Sequence, residues 1–189
     1  MKPVARKADI EIEWAQQARQ LSFLRACGLS HPFEGGGPTE PRAEVILYGG
    51  AAGGGKTDAL LMSGIIAGLT WPGISIGYFR REFPMLEGPG GAILRSQELM
   101  SGWAKWHGGQ RRWTLPTGSI LQFCHCKAEE DVYNYQSQQF DLILIDEATQ
   151  FLRSQYRYLL TRNRATKPGV TPFMALATNP GNVGHTWFR

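Results

Sequence analysis

A glycine-rich loop between a strand and a helix constrains the fold of this chain more than any other feature. The stretch YGGAAGGGKTDALL (48–61) contains five glycines and one lysine. It follows the apolar run AEVILY (43–48), typical of a buried strand, and leads into residues 57–69, whose pattern predicts a helix with an apolar face. Gly50 to Thr57 match the pattern G-x-x-x-x-G-K-[ST] of a phosphate-binding loop. The sequence therefore predicts a strand, an anion-binding loop and a helix in succession.

Each residue type in this loop has a physical role in holding a triphosphate. Glycines let backbone N–H groups close on phosphate oxygens, and the following helix directs the positive end of its dipole at the same anion. Lys56 supplies a mobile positive charge for the β- and γ-phosphates, and the Thr57 hydroxyl is a ligand for Mg²⁺. The predicted nucleotide-binding residues are Gly50, Ala51, Ala52, Gly53, Gly54, Gly55, Lys56, Thr57 and Asp58. A chance glycine-rich turn is the alternative, and the correct flanks on both sides argue against it.

Two adjacent acids end the apolar stretch FDLILIDEA (140–148). A buried parallel strand places such residues at the carboxyl edge of the sheet, where α/β proteins bind ligands. Asp146 is expected to hold Mg²⁺, and Glu147 to orient or deprotonate the attacking water. One acid after a strand is ordinarily a helix cap or a solvated turn. Together with the loop, the pair favours hydrolysis of a nucleoside triphosphate over the chemistry of a small kinase.

A third segment, LATNPGNVGHTWFR (176–189), ends another predicted strand with Thr178 and Asn179. Polar side chains there can reach the γ-phosphate, so Asn179 is a predicted nucleotide contact. Asn-Pro-Gly is also a strong turn former, and a plain turn is the alternative interpretation.

Alternating strands and helices predict a single α/β domain over residues 1–189, with a mainly parallel central sheet flanked by helices. The other predicted elements are a helix over 9–26 capped by Asp9 and packed on the domain, a strand over 74–79, a loop over 81–91, a helix over 92–107, a hairpin over 111–126, a helix over 151–164 and a strand over 172–177.

Several segments, in order along the chain, resemble the ATPase domain of the large terminase subunit of tailed bacteriophages. They are YGGAAGGGKT, YFRREFPML, WTLPTGSILQF, YQSQQFDLILIDEATQF, YRYLLTRNRA and ATNPGNVGHTWFR. The most specific parts are the YQ…FDLILIDEATQF block and the R-x-R pair followed by TNPG-x-x-GH-x-W. The resemblance implies a P-loop ATPase of the additional-strand, catalytic-glutamate class, with the strand at 74–79 as the candidate for the strand between the loop strand and the acid strand.

The resemblance also implies a motor that uses ATP and Mg²⁺ to drive double-stranded DNA into a procapsid. The implied partners are DNA, the portal protein, the small terminase subunit and further copies of the chain in a ring on the procapsid, in the cytoplasm of the infected bacterial host. The TNP segment matches the family's coupling motif. Full large terminases continue into a nuclease domain, and no later cluster of acids follows here, so no nuclease activity is expected of this chain.

Ring motors of this family use an arginine to neutralise charge on the transferred phosphoryl group. The loop segment AAGG contains none. The candidates are Arg162, Arg164, Arg80 and Arg81, of which we favour Arg162, acting as a catalytic residue at a neighbouring subunit's site. A surface arginine at a helix end is the alternative for Arg162.

The family's adenine-contacting glutamine is not evident near residues 38–44, and Phe33 or Arg42 is the candidate for covering the base. DNA gripped through its phosphates requires basic side chains on one face. The candidates for these contacts are Arg80, Arg81, Arg111, Arg112, Arg153 and Arg157.

Composition places few further limits on function. A net charge of +4 fits a polyanionic partner, and no apolar segment is long enough to indicate a membrane span. Three cysteines argue against a disulfide framework, and Cys124-His125-Cys126 lacks zinc-site spacing, so buried thiols are expected. Two other functions stay open: a helicase-like or DNA-repair translocase of the same class, and a truncated nucleotide-binding scaffold that is inactive alone.

Overall fold

The computed structural model describes residues 10, 12, 14–29, 39–50, 53–179, 181 and 183–187. The strands are β1 (Val45–Gly49), β2 (Ser75–Arg80), β3 (Lys105–His107), β4 (Arg112–Thr114), β5 (Ile120–His125), β6 (Leu142–Ile145) and β7 (Phe173–Thr178). They form one seven-stranded sheet in the order β1-β7-β6-β2-β5-β4-β3. The pairs from β1 through β5 are parallel, and β4 and β3 continue the sheet antiparallel. The predicted α/β fold with a mainly parallel sheet is confirmed.

Helices cover both faces of this sheet. They are α1 (Ala18–Ala26), α2 (Lys56–Thr70), α3 (Pro84–Glu87), α4 (Ala92–Met100) and α5 (Arg153–Arg162), with 3₁₀ turns at Gly108–Gln110, Glu129–Tyr135, Ala148–Gln150 and Val183–Thr186. One apolar cluster joins α1, α2 and α4 to the sheet, and a second joins α5 to the opposite face. Among the described residues, no helix combines the length and the apolar character needed to cross a membrane.

The acid-bearing strand β6 contributes side chains to both clusters. Leu142 and Leu144 pack in the cluster of α2, whereas Ile143 and Ile145 pack in the cluster of α5. Successive side chains of a strand point to opposite faces, so a strand covered on both faces is apolar at every position. This burial explains the unbroken LILI run and carries the residues after it to the carboxyl edge of the sheet.

Helix α1 is shorter than predicted. It begins at Ala18, residues 14–17 are not helical, and Asp9 lies outside the described residues. The backbone of Gln17 is extended, and its N–H donates to Gln20 Oε1 at 2.8 Å, which starts the helix at this point. The side chain of Trp14 instead packs partly buried against the core.

The predicted helix over 92–107 was wrong in its second half. Helix α4 ends at Met100, and residues 105–107 form β3, the edge strand next to β4. Trp106 lies opposite Trp113 in this pairing, with ring centroids 5.1 Å apart. The expected hairpin over 111–126 is present as β4 and β5, and β3 adds a third strand to it. The expected loop over 81–91 contains the short helix α3.

The order of the strands differs from the expectation for residues 74–79. The strand between the loop strand β1 and the acid strand β6 is β7, and β2 lies on the far side of β6. The carboxyl ends of β1, β7 and β6 are therefore adjacent. The segment after β7, which contains Asn179, consequently lies between the phosphate-binding loop and the acid pair.

Candidate active site

The phosphate-binding loop closes on the start of α2. Gly55 has a left-handed backbone (φ +63°) and precedes Lys56, the first residue of the helix. No described side chain caps this helix end, which leaves its first N–H groups available to an anion. Lys56 is 7% exposed, and its ammonium donates to Gly50 O at 3.2 Å, so the charge lies over the loop. Ala51 and Ala52, predicted as part of this loop, lie outside the described residues.

Asp146 is buried at the end of β6 and is held by donors on both carboxylate oxygens. Its Oδ2 accepts hydrogen bonds from Thr57 Oγ1 (3.1 Å), Tyr78 Oη (3.0 Å) and Arg80 Nη1 (3.2 Å). Its Oδ1 accepts the backbone N–H of Glu147 at 3.1 Å. Thr57 belongs to the first turn of α2 and the other two donors belong to β2, so this single carboxylate joins three elements of the fold.

Tyr78 stays a hydrogen-bond donor to this carboxylate. Burial raises the pKa of the Tyr78 phenol well above its ordinary value, and the nearby Asp146 charge raises that pKa further. The phenol is therefore protonated throughout the neutral range, where it donates to Asp146 and does not titrate.

The oxygen atoms at the end of β6 are suitable ligands for Mg²⁺. The Thr57 hydroxyl and the Asp146 carboxylate are oxygen ligands 3.1 Å apart beside the helix end that would hold phosphate. Mg²⁺ is commonly bound by one or two protein oxygens together with phosphate and water. In the part of the chain that the structure describes, no group of three or more His, Cys, Asp or Glu side chains is placed to hold a metal. A magnesium site here would therefore depend on these two side chains and on the nucleotide.

Glu147 has an unusual backbone and a defined side-chain partner. Its φ of +51° is left-handed, a conformation that is strained for any residue with a Cβ and is concentrated at functional sites. Asn179 Nδ2 donates to Glu147 Oε1 at 2.9 Å. The Asn179 Oδ1 atom is buried and has no hydrogen-bond partner among the described residues. The pair thus combines a carboxylate and an amide oxygen, both able to accept a hydrogen bond from a water molecule.

Two threonines fix the end of β7 to the turn that follows Glu147. Thr149 Oγ1 and Thr178 Oγ1 lie 2.7 Å apart, and Thr149 Oγ1 also donates to Asn179 O at 3.1 Å. Both threonines are buried. Because Asn179 follows Thr178 directly, these contacts set the position of its side chain relative to Glu147.

Cavities open on both sides of this cluster. One of about 310 Å³ lies beside Lys56 and the loop glycines, with Gln17, Arg19 and Tyr48 on its wall. Another of about 430 Å³ lies beside Glu147 and is lined by Arg80, Gln150, Asn179 and the 88–91 segment. The geometry can hold a phosphate chain at the loop and leaves room for water at the acid.

Some predicted residues lie elsewhere. The Asp58 carboxylate, predicted to contact nucleotide, pairs with Arg95 through contacts of 2.9 and 3.0 Å. Arg162 Nη1 donates to Gln136 O at 2.7 Å, and its carbonyl accepts the N–H of Phe140 at 3.0 Å. Phe140 precedes β6, so Arg162 lies at the opposite edge of the sheet, roughly 15–20 Å from Asp146 at about 3.3 Å per residue. Within one chain, the structure does not bring Arg162 to the site, and its role at a neighbour's site stays a prediction.

The other arginine candidates lie at opposite ends of the parallel strands, one at the amino ends and two at the carboxyl ends. Arg164 lies beside Arg162, where its N–H donates to Phe140 O. Arg80 contacts Asp146, and Arg81 donates to the carbonyl of Gln150 near Glu147. Arg80 is therefore the candidate that contacts the site within the chain.

Three contacting residues were missed by the sequence analysis: Gln20, Tyr48 and Tyr78. Gln20 Nε2 donates to Gly55 O and Tyr48 Oη donates to Gly54 O, whereas Tyr78 contacts Asp146. Of these three residues, Tyr48 is the one next to the glycine-rich motif. Its hydroxyl group, at the end of an apolar strand, was the sequence signal that could have identified it. Of the residues expected to cover the base, Phe33 lies outside the described residues and Arg42 is exposed.

The sequence was compared with models of protein families and with curated protein sequences. Residues 77–187, more than half of the chain, match the family model described as terminase large subunit, T4-like-virus type, N-terminal. A search of curated protein sequences gave no significant match.

Solved structures show the same fold at low sequence identity. The large terminase of a thermophilic bacteriophage matches 86% of this chain with a TM-score of 0.63 and 17% identity. The Thermus phage P74-26 large terminase ATPase domain matches 93% with a TM-score of 0.60 and 13% identity, and this chain covers 68% of that domain. The HK97 large terminase matches 87% with a TM-score of 0.63 and 11% identity. The chain spans 39% of the thermophilic bacteriophage protein and 33% of the HK97 protein.

Proposed function

Because this chain belongs to the family of T4-like-virus-type large terminase subunits, as part of the N-terminal region, we propose that it is an ATPase that moves DNA. The reaction is hydrolysis of ATP, with water as the nucleophile. The related large terminase of the thermophilic bacteriophage has been solved in complex with ADP and with ATP-γ-S, which supports ATP as the nucleotide.

The convergence of three sequence-distant segments carries the proposal. Thr57 from the loop, Asp146 and Glu147 after β6, and Asn179 after β7 form one chain of hydrogen bonds. Phosphoryl transfer to water requires a helix end that holds phosphate, a pair of oxygen ligands for the metal, and an acid beside a cavity with room for water.

In this proposal each side chain has a distinct task. Lys56 and the loop N–H groups hold the β- and γ-phosphates, and Lys56 neutralises charge as the bond to the γ-phosphate breaks. Thr57 and Asp146 would hold Mg²⁺, which when bound screens the phosphate charges. Glu147 accepts a proton from the attacking water, while Asn179 holds one Glu147 oxygen in place. Arg80 forms an ion pair with that buried carboxylate of Asp146, Nη1 to Oδ2 at 3.2 Å.

DNA translocation into a procapsid follows from the family and is part of the proposal. Arg153 and Arg157 are exposed on α5 and line a groove with Tyr156 and Trp187. Because Arg80 and Arg81 are engaged inside the fold, the α5 arginines are better placed for DNA phosphates. The portal protein, the small subunit, a ring of copies and the host cytoplasm complete the proposed setting.

Two substitutions test the ATPase assignment. Lys56→Ala is expected to abolish nucleotide binding, whereas Glu147→Gln is expected to bind ATP normally and to lose turnover by about 10²–10⁴-fold. Exposed residues of the same types provide the controls, Lys127→Ala and Glu129→Gln, which should match the unaltered chain in both assays. Equal loss of binding in Lys56→Ala and Glu147→Gln would contradict the assigned roles.

The DNA assignment is tested separately. Filter binding of duplex DNA across a salt series should show affinity falling as salt rises, with a smaller slope for Arg153→Ala. A DNA affinity that does not change with salt would contradict the proposal that the chain contacts DNA through its phosphates. Strand separation of a forked duplex would favour the helicase-like alternative, and zero ATP turnover at every protein concentration would favour the inactive scaffold.

A further inference from the structure

Two side chains outside the glycine-rich motif hold consecutive carbonyl groups of the phosphate-binding loop. The Tyr48 hydroxyl donates to Gly54 O at 3.0 Å, and the Gln20 side-chain amide donates to Gly55 O at 2.9 Å. Tyr48 ends the apolar part of β1, whereas Gln20 belongs to α1, thirty-five positions before Gly55. The loop is therefore held from outside by two separate elements.

Both donors are themselves fixed. Gln20 is 2% exposed, and its Oε1 accepts the N–H of Gln17 at 2.8 Å, so both ends of its amide are in use. The ring of Tyr48 stacks on Phe23, with centroids 5.2 Å apart and ring planes 22° apart. Phe23 is buried in the core on the same helix as Gln20. Packing of α1 thus sets the position of both donors.

The approach of Gln20 to the loop leaves no space at position 55. A Cβ added to Gly55 would lie 2.3 Å from Gln20 Nε2. Gly55 also has a positive φ, so its backbone conformation favours glycine, and the Gln20 side chain would have to shift to admit a Cβ. The Gly55 carbonyl additionally accepts the N–H of Ala59 at 3.0 Å, the first hydrogen bond of α2.

Peptide geometry connects these carbonyl contacts to the ligand. In a planar trans peptide, the C=O of one residue and the N–H of the next point in opposite directions. Holding the carbonyls of Gly54 and Gly55 therefore aims the N–H groups of Gly55 and Lys56 to the opposite side. For Lys56, that direction is away from the helix, toward the position of a bound anion.

We propose that Tyr48 and Gln20 are positioning residues that preset the Gly55 and Lys56 N–H groups for phosphate binding. This inference rests on the proposed function, because it assumes that the loop binds a phosphate chain. Donors already oriented before the ligand arrives need no reorganisation on binding, which raises affinity.

The experiment uses Tyr48→Phe, which removes only the hydroxyl, and Gln20→Met, which keeps length but removes the amide. Calorimetry measures the Kd for Mg-ATP and for inorganic tripolyphosphate, together with the melting temperature. Each variant should bind both ligands roughly five- to tenfold more weakly, the usual effect of one hydrogen bond. Tyr133→Phe and Gln139→Met, at exposed positions, are the matched controls and should bind as the unaltered chain does.

The outcomes separate this inference from the proposed function. If the unaltered chain binds neither ATP nor tripolyphosphate, the proposed function itself fails. If it binds both and the two variants bind both equally well, the positioning role is overturned. Weaker ATP binding with unchanged tripolyphosphate binding would also overturn it, because the side chains would then act on the nucleoside. A lower melting temperature with unchanged affinities would assign them a purely structural role.

Discussion

At the scale of single residues, Glu147 shows how the fold supports its proposed chemistry. Its left-handed backbone is held by Gln150 N–H on the Glu147 carbonyl (2.8 Å) and by the bond from its own N–H to Asp146. Its side chain is held by Asn179. The acid is thus oriented from three directions, and its direction depends on β7 as well as on β6.

Removing the Asn179 amide should separate catalysis from binding. Asn179→Ala is expected to lower kcat about 10–100-fold, because a Glu147 carboxylate without its partner is poorly aimed at the water. The Kd for ATP should change by less than about threefold, because the loop holds most of the phosphate contacts. Steady-state kinetics with a binding titration measures both values. Asn134→Ala, at an exposed position, is the control, and a parallel loss of binding in Asn179→Ala would contradict the orienting role.

The buried thiols give a pH prediction. Burial raises the pKa of the Cys27, Cys124 and Cys126 thiols, that of Cys126 to about 12. Above about pH 8.5 the unfolded chain ionises its thiols while the folded chain keeps them protonated. The unfolded state then binds fewer protons, so the free energy of unfolding falls as pH rises, by up to about 1.4 kcal/mol per pH unit for each thiol.

Urea denaturation at several pH values between about 7.5 and 10 measures this decline. Cys126→Ala should show a shallower slope than the unaltered chain, because one of the titrating groups is removed. A free energy of unfolding that stays level or rises above about pH 8.5 would contradict the prediction.

At the scale of elements, a glycine inside β2 allows the second apolar cluster to form. A Cβ at Gly77 would lie 2.6 Å from Phe79 Cε2 and 3.0 Å from Phe140 Cε1. These two rings meet edge to face, with centroids 5.7 Å apart, and β2 carries Tyr78 and Arg80 to Asp146. The ring packing and the site geometry therefore depend on the same strand.

Gly77→Ala should destabilise the chain although alanine favours regular structure more than glycine does. Overpacking against two buried rings is expected to lower the free energy of unfolding by about 1–3 kcal/mol. Gly109→Ala is the control, because a Cβ there meets no atom within 4 Å, and it should be nearly neutral. Chemical denaturation of both variants measures the difference. Equal stability of Gly77→Ala and the unaltered chain would show that the rings move aside easily.

Sequence patterns located the strands whose apolar residues follow one another along the chain. The runs at 140–145 and 172–177 are apolar at nearly every position and form β6 and β7, which are buried throughout. The run at 43–48, predicted as a buried strand, forms the outermost strand β1, where Leu47 is exposed. The helix error over 92–107 has a different origin, because Lys105–His107 becomes a strand only through pairing with β4. Local periodicity carries no information about such a partner. The same limit hid β7 as the strand between β1 and β6, since strand order depends on contacts between distant segments.

The residues of the candidate site also divide into those that a local motif reveals and those that only the folded structure reveals. Lys56, Thr57, Asp146 and Glu147 could be proposed from the sequence because the chemistry of phosphate and metal binding requires those residue types at fixed spacing. Gln20 and Tyr78 could not, because each acts through a side chain that only the folded structure brings to its partner. A buried polar residue far from any motif becomes identifiable only when its hydrogen-bond partner is known.

At the scale of the whole molecule, the sheet separates two groups of arginines. Arg80 and Arg81 lie at the carboxyl edge with the proposed active site, whereas Arg162 and Arg164 lie at the amino edge beside Phe140. A single chain cannot bring Arg162 to its own Asp146. If Arg162 neutralises charge in the reaction, it does so in a neighbouring chain, and the site is completed only by assembly.

Mixing two inactive variants tests this arrangement. Arg162→Ala keeps the acid but lacks the arginine, and Glu147→Gln keeps the arginine but lacks the acid, so each alone should turn over ATP at least about 10²-fold more slowly. In a ring assembled randomly from equal amounts, roughly a quarter of the sites pair an intact acid with a neighbour's intact arginine. The mixture should therefore regain activity, up to roughly a quarter of that of the unaltered chain. Arg25→Ala, at an exposed position on α1, is the control and should stay active alone. Full activity of Arg162→Ala by itself would remove it as the catalytic arginine, whereas an inactive mixture of the two variants would exclude its action between chains.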